Sequence, residues 1–399
     1  MSKYDDLFES TAPTDSVFTD KGALDPLAAP DEIIARDTQE RRIATILNGV
    51  QDGYLPTTVS VYGPPGTGKT LTTRRVCREF AVRHDELAVE YVNLKECRTL
   101  FSAANEICFE LTGEKRGAYE GLDGVFEAIW NALSSYPEWT VLILDEIDHV
   151  RHDANYDPNE FFYRFLRGEG KLKRDIQLSV WLISNELLDV DLRLDSRVQS
   201  AMSGETVFFP PYGRAELTAI LTPRVEAAFR DDALSEDVLA DGVREAAQRW
   251  GDVRKALTLF RHAGETATER DLAAITEACL TANLETTEKA DTLAKLEQLP
   301  LNHLVVLTAA VAHRDRRGRI VQPVSVTQIH ETLVTTADES FHFGTRTIRE
   351  IVAALETMGR VETWIDSRGR EGRVKQIRTT FDPRWVRAAQ AAATLTLAD

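Results

Sequence analysis

Eight consecutive residues, Gly63-Pro64-Pro65-Gly66-Thr67-Gly68-Lys69-Thr70, constrain the fold of this chain more than any other feature. They fit the spacing G-x-x-x-x-G-K-[ST], and both flanks suit it. Thr58 to Tyr62 reads as a short buried strand and Leu71 to Val82 as a helix. A strand, a glycine-rich turn and a helix N-terminus aim backbone N–H groups and the positive end of a helix dipole at one point. That arrangement suits a polyphosphate, so Gly63 to Leu71 is the expected nucleotide-binding segment and ATP with Mg2+ the expected ligand. Lys69 would reach the β- and γ-phosphates, and the Thr70 hydroxyl would hold the metal.

Val141-Leu142-Ile143-Leu144-Asp145-Glu146-Ile147-Asp148 is an apolar strand that ends in carboxylates. Phosphoryl transfer needs an acid there to complete the Mg2+ shell, a role given to Asp145, while Glu146 would orient and polarise the attacking water. Trp181-Leu182-Ile183 is a further apolar strand, closed by Ser184-Asn185. The Asn185 amide could hold the water or the γ-phosphate; a turn-initiating asparagine is the alternative. Leu192 to Val198 and Gly251 to Leu257 carry further arginines. Cations from a neighbouring subunit and from a lid helix can stabilise phosphoryl charge, but surface arginines are usually only solvated, and the residues alone single out none of these.

At 399 residues the chain is too long for one compact core, and two or three domains are expected. Residues 1–25 are polar with few large apolar groups and are expected to be disordered. Residues 26–210 alternate strand-like and helical runs, the pattern of a parallel α/β sheet. Pro210-Pro211-Tyr212-Gly213 marks a boundary, and 211–290 reads as all helix: Ala215 to Phe229, Ser235 to Trp250, Asp252 to Ala267, and Glu269 to about Leu284. Ser235 and Asp252 are suitable N-caps. A charged stretch, Glu285 to Gln298, leads into a third unit over 295–399.

That third unit reads helix, helix, helix, hairpin. After Gly344, apolar Ile348, Ile351, Val352, Leu355 and Met358 form one helical stripe, and Thr345, Arg346 and Arg349 lie off it at the N-terminal end. This is where a recognition helix touches base edges. Two strands, Val361 to Ile365 and Val374 to Thr380, flank a glycine-hinged tip that carries Arg368, Arg370 and Arg373. Together these describe a winged helix whose wing is ready for phosphate or minor-groove contact.

The net charge is −17, yet residues 299–399 hold 14 Arg and Lys against 11 Asp and Glu, a net of +3 that leaves −20 on the preceding 298 residues. The cationic end is where a nucleic-acid surface is expected. Dense carboxylates, with arginine far outnumbering lysine, suit a cytosol of very high salt. No N-terminal signal and no apolar stretch of about 18 residues stands in the sequence, so neither export nor membrane insertion is expected. Cys77, Cys97, Cys108 and Cys279 lack paired spacing and are expected to be buried thiols.

At this point the chain resembles a known family, the AAA+ replication initiators of archaea, related to the eukaryotic origin-recognition and cell-division-control ATPases. The resemblance is carried by GPPGTGKT, the LDEID run, SNELLDVDLRLDSRVQSAM, FPPYGRAEL, GDVRKALTLFRHAGE and the C-terminal winged helix, over nearly the whole chain. It implies an AAA+ ATPase core with a helical lid and a winged-helix domain. Asn185 would be sensor 1, Arg197 the arginine finger and Arg254 sensor 2; Ser196 stands where many relatives have proline. Ile33-Ile34-Ala35-Arg36 resembles the family's adenine-side pocket, and Ile34, Arg36 and Tyr212 would be nucleotide-binding residues. A helical insertion at about Thr112 to Leu122, with Lys115 and Arg116 at its tip, would touch DNA. The implied function is a slow ATPase that binds double-stranded origin DNA, self-associates there and recruits a minichromosome-maintenance-type helicase, within the cytoplasm at the nucleoid. A clamp-loader or remodelling ATPase, or a DNA-binding paralogue that regulates initiation, are the alternatives.

Overall fold

In the computed structural model the described residues are 16–147, 157–167, 177–185, 204–367 and 373–396, apart from positions 29, 98, 298, 315 and 316, together with Tyr4, Leu7 and Phe8. The chain divides into two units, Met1–Leu280 and Thr281–Asp399.

In the first unit, strands β1 (Thr58–Tyr62), β2 (Leu87–Asn93), β3 (Trp139–Asp145), β4 (Gln177–Ser184) and β5 (Glu205–Phe208) form a sheet in the order β2-β3-β4-β1-β5. Every neighbouring pair is parallel. Parallel strands are covered on both faces, which is why β3 is a continuous apolar run with all seven residues buried. Leu142 and Leu144 pack on one side with Leu100, Ile107, Ile129 and Phe161, from helices α3 (Leu100–Thr112), α4 (Gly121–Leu133) and α5 (Pro158–Arg167). Val141 and Ile143 pack on the other with Ile43, Leu47 and Cys77, from α1 (Asp37–Leu47) and α2 (Lys69–Ala81). Strand β5 has no counterpart among the strands read from sequence: it is four residues long and buries only Val207. All four cysteines are buried free thiols, as expected.

After Pro210 and Pro211 come α6 (Arg214–Ala228), α7 (Glu236–Arg249) and α8 (Val253–Glu269). The two expected caps form: Ser235 Oγ accepts from the Val238 N–H at 3.4 Å, and Asp252 Oδ1 from those of Arg254 and Lys255 at 2.8 and 3.3 Å. Two expectations are corrected. Residues 16–25 are ordered against these helices, with Val17 and Leu24 fully buried and the Phe18 ring 5.1 Å from that of Phe229. The Thr19 N–H donates to Ala228 O at 2.8 Å and the Arg230 N–H to Val17 O at 3.0 Å. Few apolar side chains stand in this segment, but those few are docked.

The second correction concerns the helix expected from Glu269. A turn through Asp271, at φ 53°, ends α8, and the Ile275 N–H donates to Ala233 O at 2.7 Å. Helix α9 (Glu277–Glu297) then runs on through the charged stretch, which contains no Gly or Pro and is rich in Ala, Leu, Glu and Lys. The division between units falls within this helix.

The second unit packs α10 (Leu301–Ala310), α11 (Val326–Thr336), α12 (Thr345–Thr357) and α13 (Trp385–Thr396) with an antiparallel sheet. Its strands are β6 (Val324–Ser325), β7 (Val361–Ser367) and β8 (Arg373–Thr379), in the order β6-β8-β7. The expected stripe is the core face of α12: Ile348, Ile351, Val352 and Leu355 are buried with Leu304, Ile329, Leu333 and Ile377. Helices α10, α11 and α12, the β7–β8 hairpin and the short strand β6 make a winged-helix arrangement, to which α13 is added. Strand β6 went unread because two residues carry no period.

Candidate functional site

The C-terminal ends of β1, β3 and β4 bring the sequence motifs together. Strand β4 lies between β1 and β3, so Asn185, next after β4, comes between the glycine turn and Asp145. In the turn, Gly63, Gly66 and Gly68 have φ of 150°, 71° and 86°, a region that side chains other than glycine enter only with strain. A Cβ on Gly63 would also meet Phe209 O at 2.1 Å, and one on Gly66 would meet Asp252 Oδ1 at 1.7 Å. Pro64, Pro65 and Thr67 carry the turn between these glycines, with Thr67 Oγ1 donating to Pro64 O at 2.8 Å. Helix α2 starts at Lys69, and Leu71 is half-buried in its first turn.

Lys69 Nζ donates to Gly63 O at 2.7 Å, to Pro64 O at 2.9 Å and to Asn185 Oδ1 at 3.3 Å. Thr70 Oγ1 donates to Asp145 Oδ2 at 2.8 Å, and the Glu146 N–H to Asp145 Oδ1 at 3.0 Å. Asp145 is buried, and that desolvation pushes its carboxyl up while the hydroxyls bonded to it pull the other way. One carboxylate and one hydroxyl are hard oxygen donors of the kind that hold Mg2+ together with phosphate oxygens and water. Glu146 stands at φ 57°, left-handed backbone that costs a side chain such as this about 1 kcal/mol or more.

Sequence reasoning missed two groups here. Tyr91, on β2, donates its hydroxyl to Asp145 Oδ2 at 2.8 Å, and burial together with the Asp145 charge pushes its phenol up to about 12. Asp252 presses its carboxylate against Gly66, and the Val253 N–H donates to Gly66 O at 3.3 Å. The start of α8 thereby meets the turn, with Arg254 exposed one residue further on. Register between β2 and β3 could have found Tyr91; no local signal joins Gly66 to Asp252.

Burial also pushes the Asp252 carboxyl up, against smaller opposing effects of Lys255 and Arg254. A carboxyl raised in the folded state above its unfolded value of about 3.9 contributes stability at pH below that value and loses it as pH rises through the folded pKa. Asp252→Asn keeps a capping oxygen and removes the buried charge. Its urea midpoint is therefore expected to gain on the wild type between mildly acidic and neutral pH; a constant difference across that range would exclude this account.

Arg36 and Tyr212, both expected at the nucleotide pocket, lie against each other beside the glycine turn. Arg36, 1% exposed, donates from Nε to Thr67 O at 2.8 Å and from its two terminal nitrogens to Pro210 O at 2.9 Å and Ala35 O at 3.4 Å. Its guanidinium lies 3.5 Å from the Tyr212 ring centre. It is a strut between the glycine turn and the entry to α6, with its donors directed at protein carbonyls. Ile34, two residues away, is half-buried.

Of the expected nucleic-acid contacts, Thr345, Arg346 and Arg349 are exposed at the start of α12, with Arg346 Nε 3.2 Å from Glu350 Oε1. Arg373 opens β8; Arg368 and Arg370, like Arg197, lie outside the described residues. The expected helical insertion is a loop with a single 3-10 turn, Ala118–Glu120, because Gly113 ends α3 at φ 78°. At its tip Lys115 Nζ donates to Glu106 Oε2 at 2.7 Å, a bond that raises its pKa. The Arg116 backbone is held on both sides by the Asn105 amide, at 2.7 and 3.0 Å.

Comparison with known proteins agrees with this architecture. Residues 55–189 match the model of an AAA domain, 218–282 that of a Cdc6 AAA+ ATPase-type lid domain, and 294–389 that of a CDC6 C-terminal winged helix domain. The chain is 31% identical to an ORC1-type DNA replication protein of Pyrococcus furiosus over 94% of its own length and 90% of the relative's. It is 34% identical to ORC1-type DNA replication protein 4 of Halobacterium salinarum over 68% and 67%. Among solved structures, the Aeropyrum pernix ORC1 protein in complex with DNA aligns at a TM-score of 0.70 and 28% identity, covering 95% of this chain and 98% of that one. With the AAA+ core, the lid and the winged helix following one another over its length, the chain belongs to the family of ORC1-type archaeal replication initiators.

Proposed function

We propose that this chain is an ATP-dependent initiator that binds double-stranded origin DNA and helps recruit or load a minichromosome-maintenance-type replicative helicase. The observation that carries this reading is the meeting of Lys69, Thr70, Asp145 and Asn185 at one glycine turn, in a chain that ends in a winged helix. A relative of the same architecture has been solved with DNA, and an A. pernix ORC2 protein of like fold, at 19% identity, with ADPNP and ADP. In this reading the turn and Lys69 bind the polyphosphate, Thr70 and Asp145 hold Mg2+, Glu146 orients water, and Asn185 and Arg254 respond to the γ-phosphate. Arg197 would act in trans on a neighbouring copy, so a lone chain turns over slowly. Hydrolysis then works as a switch between DNA-bound states.

On the DNA side, Thr345, Arg346 and Arg349 read base edges while Arg368, Arg370 and Arg373 take phosphate or the minor groove; Lys115 and Arg116 add contacts from the first unit. Counterion release weakens with salt, so in molar salt specificity must lean on base and shape readout. The test is nuclease protection in molar KCl with ATP, on DNA flanking the protein's own gene and on shuffled DNA. The expected result is a discrete footprint on the former, lost when Arg368, Arg370 and Arg373 are changed to alanine. The same triple change should flatten the slope of log K against log salt by about 2.7 if all three meet phosphate. Equal protection of both DNAs would defeat base and shape readout. No protection of either, with hydrolysis intact, would assign the chain to protein remodelling instead.

A further inference from the structure

Asp145 Oδ2 receives two hydroxyls, and only one of them belongs to the phosphate-binding turn. The first is that of Thr70 and the second that of Tyr91, both at 2.8 Å. Tyr91 reaches it from the neighbouring strand: it pairs with Ile143 in the parallel register, while Asn93 pairs with Asp145 itself. The phenol is braced on two sides. The Arg74 guanidinium, one turn along α2 from Thr70, lies 3.8 Å from its ring centre, and Asn93 Nδ2 donates to its oxygen at 3.3 Å. The Asn93 amide is fixed in turn by the Lys95 N–H, which donates to Asn93 Oδ1 at 2.9 Å.

We propose that Tyr91 is a positioning residue for the divalent cation of the nucleotide site, holding the Asp145 carboxylate in the plane that faces Thr70. The proposal rests on the reading of that site as one for Mg2+ and ATP. A carboxylate with one oxygen tied to two hydroxyls and the other to the Glu146 N–H has no freedom to swing. Removal of the phenol oxygen leaves Thr70 and the Glu146 N–H as the donors to it named above and lets the carboxylate rotate. Outer partners that orient a ligating group are worth about 10–100-fold in metal affinity. Binding of the polyphosphate itself, through Lys69 and the turn, does not involve Tyr91.

The experiment uses the full chain and its Tyr91→Phe variant, which keeps the ring beneath Arg74. A fluorescent ATP analogue is titrated in EDTA, and Mg2+ is then titrated into the saturated complex. For the variant, the expected result is a Mg2+ midpoint at least about ten-fold higher with the metal-free nucleotide affinity within two-fold of the wild type. A midpoint within two-fold of the wild type would overturn the proposal, as would an equal loss in both titrations, which is what a packing role gives. If Tyr91→Phe does not fold by circular dichroism, Arg74→Met carries the test: a raised Mg2+ midpoint supports the proposal and an unmoved one overturns it. Failure of the wild-type chain to bind the analogue, with Lys69→Ala no different from it, would overturn the site reading itself and is separable from a Tyr91 failure by that control.

Discussion

Arg36→Met is expected to destabilise the first unit by about 3–5 kcal/mol and to lower its melting temperature by roughly 10 °C. The methionine fills most of the space but supplies no donor. Thr67 O and Pro210 O, at 2.8 and 2.9 Å from the guanidinium, would lose their charged partner, and each buried orphan costs about 1–3 kcal/mol. The stack on Tyr212 goes as well, worth about 1–2 kcal/mol where the cation is desolvated. Burial pulls the Arg36 pKa down, and Tyr212 and Glu216 pull it back up; the guanidinium stays charged throughout, so the loss should not vary with pH near neutrality. Arg36→Lys should not rescue, since an ammonium cannot address two carbonyls in a planar fork while stacked on a ring. Differential scanning calorimetry of both variants beside the wild type decides it: a shift below about 1 kcal/mol for methionine would mean that water satisfies the carbonyls and that the strut is dispensable.

The contrast between Arg36 and Lys69 shows where sequence was sufficient. Lys69 is legible because its partners Gly63 and Pro64 lie six and five residues back, so spacing alone fixes the geometry. Arg36 binds Pro210 across 174 residues and Thr67 across 31, and no local pattern announces those partners. The same holds for Tyr91, 54 residues from Asp145, and for the seat of Asp252 on Gly66. The stripe on α12 was legible because helical period and burial coincide there. Lys115 was legible as a cation but not as a partner of Glu106, because a loop's charge says nothing about which neighbour neutralises it. Residues 16–25 failed for a different reason: composition averages over a segment, whereas docking needs only Val17, Phe18 and Leu24 at the right spacing.

Glu146→Gln is expected to leave the affinity for Mg2+-ATP within about two-fold and to cut hydrolysis by at least about 100-fold, the usual worth of a general base. The substitution keeps size and hydrogen-bonding atoms but removes the charge that draws a proton from water. Where the residue stands argues for chemistry over packing. It follows directly on β3, its N–H is bonded to Asp145 Oδ1, and its backbone at φ 57° is one that glycine would occupy without strain. A non-glycine residue held there marks a position where the side chain matters more than the local cost. Glu146→Gly makes the comparison independent of the glutamine: it should raise stability by about 1 kcal/mol through relief of that strain while losing hydrolysis to the same extent. Single-turnover assays on radiolabelled ATP, at protein concentrations and on DNA that allow neighbouring copies to meet, separate the chemical step from the absence of an arginine in trans. A rate within three-fold of the wild type for Glu146→Gln under those conditions would remove Glu146 from the mechanism and leave its left-handed backbone as a feature of the turn alone.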